Sequence, residues 1–432
     1  MSSALEQSAM RKAAWRLIPF LGAAYFVNAL DRSNVAVAAL TMNKSLGFTA
    51  AEYGFGAGAF FWSYVLFQVP HNLMLSRIGA RRWLTGVILA WGLASACTAL
   101  VTSVTTYAAV RFMLGVAEAG YFPGVIFFMT RWFPHRYRGR AMGVFYAFAA
   151  TAVSTGAPIS GNILVLHGWL GLQGWQWIFL LEAIPAIVLA VICPFLLRDS
   201  PNEAAWLTPD EKTWLNQALA AEQHQATGSH VSIMRTLMDG RMILMTIAYL
   251  GIGFGVYANV FFLPLMIKDL GFSNLTVSYL AAIPAALGAV GMILVSRHSD
   301  RTGERVLHVT LPTLLAAVAL LVTAAFIGNP WVEMTGLCVV GFGISSCLPT
   351  FWTLPTAYLG AGTAAAGIAM INSVGNLSGY FAPQLMGLLR DYTGNYSLAM
   401  FIVGGIVLFA AAVLPFCGVG VAARRPARAT AG

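Results

Sequence analysis

Charged side chains are scarce in this 432-residue chain: they make up only 9% of it, whereas 58% of its residues are hydrophobic. A soluble globular domain usually carries about a quarter charged residues. The composition therefore excludes an ordinary soluble domain and predicts a protein that crosses a membrane many times. The net charge of +9 is scattered between apolar runs rather than gathered on one solvated face, so it does not predict a nucleic-acid partner.

Cysteine is also scarce, and the sequence patterns of metal sites and catalytic centres are missing. All five cysteines lie inside apolar segments, with neither metal-ligand spacing nor the spacing of a disulfide framework. We expect them to be small core residues. No lysine follows a glycine, which excludes a P-loop and hence an ATP-driven pump within the chain. The sequence thus predicts no metal, no cofactor and no enzyme activity.

What the chain has instead is a series of long apolar runs. A helix needs about 20 apolar residues to cross a bilayer. Runs of about this length fall at 16–40, 53–75, 83–103, 106–130, 140–166, 176–197, 241–267, 276–297, 307–327, 331–354, 362–388 and 397–419. We therefore predict an all-α membrane protein with twelve transmembrane helices, the first of which is a retained span rather than a signal peptide.

The basic residues predict how these helices are oriented. With both termini in the cytosol, twenty of the 25 Lys and Arg residues lie in cytosolic loops or at cytosolic helix ends, and only Lys44, Lys268 and Arg390 lie outside. Cytosolic loops characteristically carry such an excess of Lys and Arg. We predict a multi-pass protein of the cell (inner) membrane with both termini cytosolic.

One long polar segment, 198–240, separates the sixth run from the seventh. Within it Thr208 and Glu211 stand at the N-cap and N3 positions of a capping box, with a proline between them at N1. This pattern predicts an amphipathic helix on the cytosolic face. No metal-ligand partner stands at helical spacing from His224 or His230, so we interpret both as solvated linker residues.

This linker divides the chain into an N-terminal six-helix bundle, 1–197, and a C-terminal six-helix bundle, 241–432, and the two bundles echo each other. After the second run comes Ser76-Arg-Ile-Gly-Ala-Arg81, and 224 residues later, after the eighth, comes Asp300-Arg-Thr-Gly-Glu-Arg305. Paired halves with a binding site between them are a transporter architecture. The repeat therefore predicts two pseudo-symmetric bundles and a transport function.

The two matching loops predict tight turns between helices at the cytosolic face. Glycine supplies the positive φ that such a turn needs, and the arginines can bond helix-end carbonyls at the interface. A second match, Gly156-Ala-Pro158 with Phe381-Ala-Pro383, falls at nearly the same shift, and two matches in register indicate a duplication. We predict a gating role for the loop residues Arg77, Gly79, Arg81, Asp300, Arg301, Gly303 and Arg305.

Four charged residues lie deep inside predicted spans: Asp31 and Arg32 in the first, Arg111 and Glu118 in the fourth. An ionisable side chain at the bilayer centre costs roughly 2.5–3.5 kcal/mol on insertion scales, so it indicates function by default. Arg111 and Glu118 are two helical turns apart, about 10 Å of rise, which is too far for a simple salt bridge. Asp31 and Arg32 point about 100° apart. One structural alternative is an Arg111–Asp31 ion pair. For Asp31 and Arg32 the alternatives are pairing with other helices or snorkelling toward the outer surface, which the continuation of the span to about Leu40 makes hard.

The remaining polar candidates are mostly neutral. Glu182 in the sixth span is interpreted as a structural hydrogen-bonding residue. In the second half Asn372 and Asn376 are four apart and share one helical face, which predicts either a cavity lining or interhelical hydrogen bonds. We predict that the substrate's hydroxyls or ring contact these two asparagines and five further residues, Tyr64, Tyr257, Asn259, Trp352 and Ser373.

These motifs resemble the major facilitator superfamily over essentially the whole chain, and more narrowly its anion:cation symporter family. Besides the paired loops, the resemblance is carried by segments 28–34, 111–120, 199–209 and 366–376. That family includes permeases for galactonate, glucarate, tartrate, phthalate and hydroxyphenylacetate, and the vesicular glutamate and sialic acid carriers. One departure is Ser76, where the family's first loop usually has an acidic residue that would help to latch the halves.

The resemblance implies roles for the deep charges. In that family the arginines at these positions bind the anion and the carboxylates carry protons. We therefore expect Arg32 and Arg111 to bind substrate, and Glu118 and Asp31 to couple transport to protons. Arginine suits the task because its planar fork matches a carboxylate.

Together these observations favour a proton-coupled symporter that imports a small organic acid anion by alternating access. The substrate would be a sugar acid, a tartrate-like acid or an aromatic carboxylate, and the other expected partners are protons and the lipid bilayer. The runner-up is a proton-driven drug exporter, which the two deep arginines disfavour because they repel organic cations. A non-transporting membrane sensor is favoured less, and we expect a monomer.

Overall fold

In the computed structural model the chain is described over residues 2–225, 238–359 and 361–417. Within these ranges the α-helices are α1 (Ser2–Leu46), α2 (Ala50–Ile78), α3 (Ala80–Cys97), α4 (Val104–Glu118), α5 (Tyr121–Trp132), α6 (His135–Ile163), α7 (Gly174–Leu196), α8 (Pro209–Gln225), α9 (Gly240–Asp269), α10 (Asn274–Thr302), α11 (Val306–Ala325), α12 (Pro330–Phe351), α13 (Thr353–Tyr358), α14 (Ala361–Asn376), α15 (Ser378–Thr393) and α16 (Ser397–Cys417). No strand occurs in the described ranges, and the predicted all-α fold class is confirmed.

Ten helical stretches of the described chain are long and apolar enough to cross a membrane. Each coincides with one of the predicted spans, and α4 and α5 together form one of them. The two other predicted spans fall on α2 and on the pair α14 and α15, which is interrupted at Leu377. The protein is therefore a multi-pass membrane protein whose helices follow the predicted order.

The chain forms two compact units, each described here by itself. Unit 1 comprises Met1–Gly228 and Val260–Ala282, and unit 2 comprises Ser229–Asn259 and Ile283–Gly432. Within unit 1 the segment from Val260 is held to α2 by the Tyr53 hydroxyl, which donates to the carbonyl oxygen of Phe261 at 3.0 Å. The predicted bundles 1–197 and 241–432, with their linker, stay a prediction.

Close packing in unit 1 depends on glycines that let helices approach each other. In unit 1, α1 lies along α6 and α7, while α2 lies along α4. A methyl group at Gly56 would overlap the ring of Tyr107, and one at Gly115 would overlap the backbone of Phe60. Small residues at such crossings are the usual means of helix association in a membrane. Gly115 lies between Arg111 and Glu118, so this crossing brings both charges against α2.

The fourth predicted span consists of two helices, and the first of them, α4, ends at Glu118. Only Ala119 and Gly120 separate α4 from α5. Gly120 faces His71 and Trp83, and the indole nitrogen of Trp83 donates to the Gly120 carbonyl oxygen at 3.3 Å. The irregularity therefore lies directly after the buried acid, and it leaves no room for a larger side chain.

The predicted helix on the polar linker is α8, and its capping box is confirmed. The Thr208 N–H donates to the Glu211 carboxylate at 2.9 Å, and the Glu211 N–H donates to the Thr208 hydroxyl at 3.3 Å. Glu211 also accepts from Lys12 at 2.9 Å and Ser8 at 2.7 Å, which ties α8 to α1. Burial raises the pKa of Glu211, but these bonds outweigh it and hold the pKa below its ordinary value. The side chains of His224 and His230 lie outside the described residues.

Unit 2 is built around an apolar cluster. α11 lies along α12 and α16. The cluster includes Met245, Ile252, Phe351, Leu354 and Leu414, all of them buried. In unit 1, by contrast with this cluster, the charged side chains of Asp31, Arg111 and Glu118 are buried.

Candidate functional site

An ion pair joins α1 to α4 in the core of unit 1. The Arg32 Nε atom lies 2.8 Å from Glu118 Oε2. The Glu118 side chain is fully buried, whereas 31% of the Arg32 side chain is exposed. The sequence predicted both residues as site residues but not that they pair with each other. A substrate carboxylate would therefore compete with Glu118 for the Arg32 guanidinium.

Aromatic rings of α2 hold both arginines of the site. The Arg32 guanidinium lies over the Tyr64 ring at 4.8 Å and near the Phe60 ring at 5.2 Å. The Arg111 guanidinium lies 5.2 Å from the same Phe60 ring. Because a cation is attracted to an aromatic face, these rings stabilise the two guanidinium groups. The structure thus brings the predicted residue Tyr64 to Arg32, and it adds Phe60, which the sequence reasoning missed.

Arg111 is buried, and none of the described acids forms an ion pair with it. It is 1% exposed, and its Nε and Nη2 atoms have no hydrogen-bond partner among the described residues. Neither the Arg111–Asp31 ion pair considered from the sequence nor an Arg111–Glu118 pair is formed in that part of the chain. The second carboxylate oxygen of Glu118 likewise has no partner there. Two donors of a buried cation thus remain free for an anion.

Asp31 points away from Arg32 and into a polar network between helices. The Ser95 hydroxyl donates to Asp31 Oδ1 at 2.6 Å. The Asn34 amide donates to Asp31 at 3.4 Å and to Glu182 Oε2 at 2.9 Å. The Ser160 hydroxyl donates to Glu182 Oε1 at 2.6 Å. The network therefore links α1 to α3, α6 and α7.

Of the network residues Glu182 and Asn34, only Glu182 was expected from the sequence to form hydrogen bonds. Glu182 makes the hydrogen bonds that we expected of it. Asn34 was missed, although it stands one helical turn after Asp31, an offset that places the two side chains on one face. That spacing was the available signal.

The predicted neutral residues of unit 2 are brought together only in part. The Tyr257 hydroxyl donates to Asn376 Oδ1 at 2.9 Å. Asn372 and Ser373 are half-buried on the same helix as Asn376, and the side-chain oxygen of Asn259 has no partner among the described residues. Trp352 packs instead on the ring of Tyr249, 4.8 Å between centroids. The assignment of these residues to substrate stays a prediction.

The two predicted gating loops share one backbone geometry. Gly79 and Gly303 have φ of 89° and 70°, and each closes its helix by donating its N–H to the carbonyl four residues earlier. Arg305 pairs with Asp300 at 2.6 Å. In the first loop, which lacks that acid, the Arg81 N–H donates to Asp199 at 2.8 Å. Arg77 and Arg301 are exposed, and the gating role of all seven residues stays a prediction.

Comparisons with known proteins agree on one family. A model of the Major Facilitator Superfamily matches residues 21–383. A putative tartrate transporter of Agrobacterium vitis is 43% identical over 413 residues, which cover 96% of this chain and 95% of that protein. A quinolone resistance transporter of Acinetobacter baumannii is 37% identical over 406 residues, covering 94% and 93%. A crystal structure of a bacterial homologue of the human lysosomal transporter Spinster, inward-facing and unoccupied, matches in fold with a TM-score of 0.79 over 96% of this chain and 99% of that one, at 16% identity.

Proposed function

Because the chain belongs to the major facilitator superfamily, a family of membrane transporters rather than enzymes, we propose that it imports a small organic acid anion together with protons. Transport proceeds by alternating access of a site whose charged part lies in unit 1. The protein is a monomer of the inner membrane with both termini cytosolic.

The Arg32–Glu118 ion pair is the observation that carries this proposal. While Glu118 is ionised it occupies Arg32 at 2.8 Å. A proton on Glu118 removes that partner and leaves the guanidinium free for a substrate carboxylate. Proton and anion therefore each favour the binding of the other, and thermodynamic linkage makes this coupling reciprocal. Cotransport follows because neither ligand binds well alone.

Arg111 supplies the permanent anchor for the anion. A buried cation without a partner is costly, and two of its nitrogen atoms lack a bond among the described residues. A carboxylate placed against this guanidinium would accept two parallel N–H bonds. The similarity to a putative tartrate transporter supports a hydroxylated or dicarboxylic substrate. The neutral polar residues Tyr257 and Asn376 are candidates for contacts to its hydroxyl groups.

Proteoliposomes with an imposed pH gradient test the proposal. We expect accumulation of at least one radiolabelled acid from a panel of tartrate, sugar acids and aromatic carboxylates, driven by external acid. The variant Glu118→Gln should lose proton-driven accumulation yet keep part of its counterflow exchange, because Arg32 is then permanently free. Normal accumulation by Glu118→Gln would exclude Glu118 as the coupling residue.

Drug export is the second candidate, and the relative that confers quinolone resistance is what favours it. A quinolone also carries a carboxylate, so Arg111 is compatible with this class of compound. Energised cells expressing the protein would then accumulate less of a fluorescent quinolone than cells expressing Arg111→Ala. Equal accumulation in both, together with acid-driven tartrate uptake, would leave import as the function.

A further inference from the structure

One amide in unit 1 bridges two buried carboxyl groups. Asn34 Nδ2 donates to Glu182 Oε2 at 2.9 Å and to Asp31 Oδ1 at 3.4 Å, so these two oxygen atoms are no more than 6.3 Å apart. Asp31 is 1% exposed, Asn34 1% and Glu182 4%. The second oxygen of Asp31 has no partner among the described residues. Two acids therefore share one neutral donor away from water.

The groups that face these two acids do not neutralise them. α3 and α6 contribute only the hydroxyls of Ser95 and Ser160. From α1 comes Arg32, which is paired with Glu118 of α4. The other charge on α4 is Arg111, which forms no ion pair with either acid within the described chain. Among the described residues no cation therefore bonds to either acid, and Arg111 acts on Asp31 only through space.

Counting charges leads to the same conclusion. Within the described spanning helices of unit 1 there are three buried carboxyl groups, on Asp31, Glu118 and Glu182, and two guanidinium groups beside them, on Arg32 and Arg111; the buried carboxylate of Glu211, on the cytosolic helix α8, is paired with Lys12. With every group ionised the core carries one uncompensated negative charge, which burial strongly disfavours. Glu118 has Arg32 as its partner, so the proton that restores neutrality belongs to Asp31 or Glu182.

We propose that Asp31 and Glu182 form a second proton-binding site, at which the empty protein holds one proton on one of the two carboxyl groups while the Asn34 amide donates to both residues. The site rests on the proposed function and is separate from the Arg32–Glu118 pair. Its two acids titrate as a coupled pair, because ionisation of one disfavours ionisation of the other. When a dicarboxylate binds to Arg32 and Arg111, the core stays neutral only if Glu118 takes up one proton and the Asp31–Glu182 pair takes up one more, so that both of its acids are protonated. Uptake of a dianion therefore takes up two protons, and uptake of a monoanion takes up one.

Infrared difference spectra of the substrate-free protein in liposomes test this site without any transport assay. Acidification from about pH 8 to pH 5 should produce carbonyl-stretch bands of protonated carboxyl groups. We expect one band to be lost or shifted in both Asp31→Asn and Glu182→Gln, because the two acids share it, and to persist in Glu118→Gln. A matched control is Glu333→Gln, which removes a buried acid of unit 2 and should leave that band unchanged.

A milder variant keeps the experiment decisive if the acid replacements fail to fold. Ser160→Ala removes only one donor from Glu182, which favours the protonated acid, so the shared band should develop at higher pH than in the wild type. If Glu182→Gln and Ser160→Ala both kept the wild-type band and its midpoint pH, the proposed site would be wrong and Glu182 would be a purely structural residue. Failure of the proposed function has a different signature, namely no acid-driven uptake of any carboxylate by the wild type.

Discussion

The two units bury polar side chains in different ways. In unit 1, Arg32, Glu118 and Glu182 make side-chain bonds from one helix to another. In unit 2 the buried hydroxyls of Thr246 and Thr323 donate to the carbonyl four residues earlier on their own helix, both at 2.7 Å. A bond within one helix survives any movement of its neighbours, whereas a bond between helices can be exchanged for one to a ligand. The bonds of Arg32, Glu118 and Glu182 are therefore of the exchangeable kind, and in unit 2 the Tyr257–Asn376 bond is as well.

Removal of the unpaired cation should give the largest effect. In Arg111→Ala we expect the affinity for a transported carboxylate to fall by roughly thirtyfold or more, because loss of a desolvated charge pair costs about 2–5 kcal/mol. Equilibrium binding to the purified protein measures this change. Arg390→Ala is the matched control, since Arg390 lies near Tyr396 in unit 2 and belongs to no predicted site. Equal affinity in Arg111→Ala and wild type would remove Arg111 from the site.

The energetic cost of burying a charge in a membrane is what made four residues candidates for the site from the sequence alone. Asp31, Arg32, Arg111 and Glu118 stand out because hydrocarbon penalises them whatever the fold. Their pairing was not predictable. Spacing along one helix fixes which side chains share a face, but not which face of α1 meets α4, so the Arg32–Glu118 bond emerged only from the packing.

Neutral residues gave weaker signals for the same reason. An asparagine or a tryptophan in a span carries no comparable penalty, so Asn34 went unnoticed. Trp352 was predicted to contact the substrate; its half-buried ring packs on Tyr249 against the apolar cluster of unit 2, and its contact with substrate stays a prediction. The helix order and the tight loops at Gly79 and Gly303 were predictable because hydropathy and the positive φ of glycine act locally.

A bond at the cytosolic end of unit 1 should have an intermediate effect on stability. Glu211→Gln weakens the bonds from Lys12 and Ser8, so we expect a loss of about 1 kcal/mol at pH 7 for a partly solvated pair. The folded protein holds the Glu211 pKa below its ordinary value of 4.5. The stabilisation is therefore present above pH 4.5 and is lost as the pH falls below that value. Thermal unfolding of both proteins between pH 7 and pH 4 should show their difference shrinking, and a constant difference would contradict this account.

Loss of one hydroxyl group in unit 2 should lower the affinity for substrate by a smaller factor. Tyr257→Phe removes the hydroxyl that donates to Asn376, and one hydrogen bond is worth about 0.5–1.5 kcal/mol. If these residues read hydroxyl groups, the affinity for tartrate should fall by roughly two- to tenfold, while that for an aromatic carboxylate without hydroxyls should not change. An equal loss for both acids would show that the bond supports the fold instead.

The smallest effect should come from a hydroxyl that bonds within its own helix. Thr323→Val replaces a buried hydroxyl, which donates to the Ala319 carbonyl at 2.7 Å, by a methyl group of similar size. That carbonyl keeps its place in the backbone hydrogen-bond ladder of α11, so we expect a change in the free energy of unfolding of less than about 1 kcal/mol. Ser160→Ala in unit 1 is the informative partner, because its hydroxyl reaches an acid on another helix. If Thr323→Val shifted the pH at which the shared carboxyl band develops, as Ser160→Ala is expected to, the distinction between fixed and exchangeable bonds would be wrong.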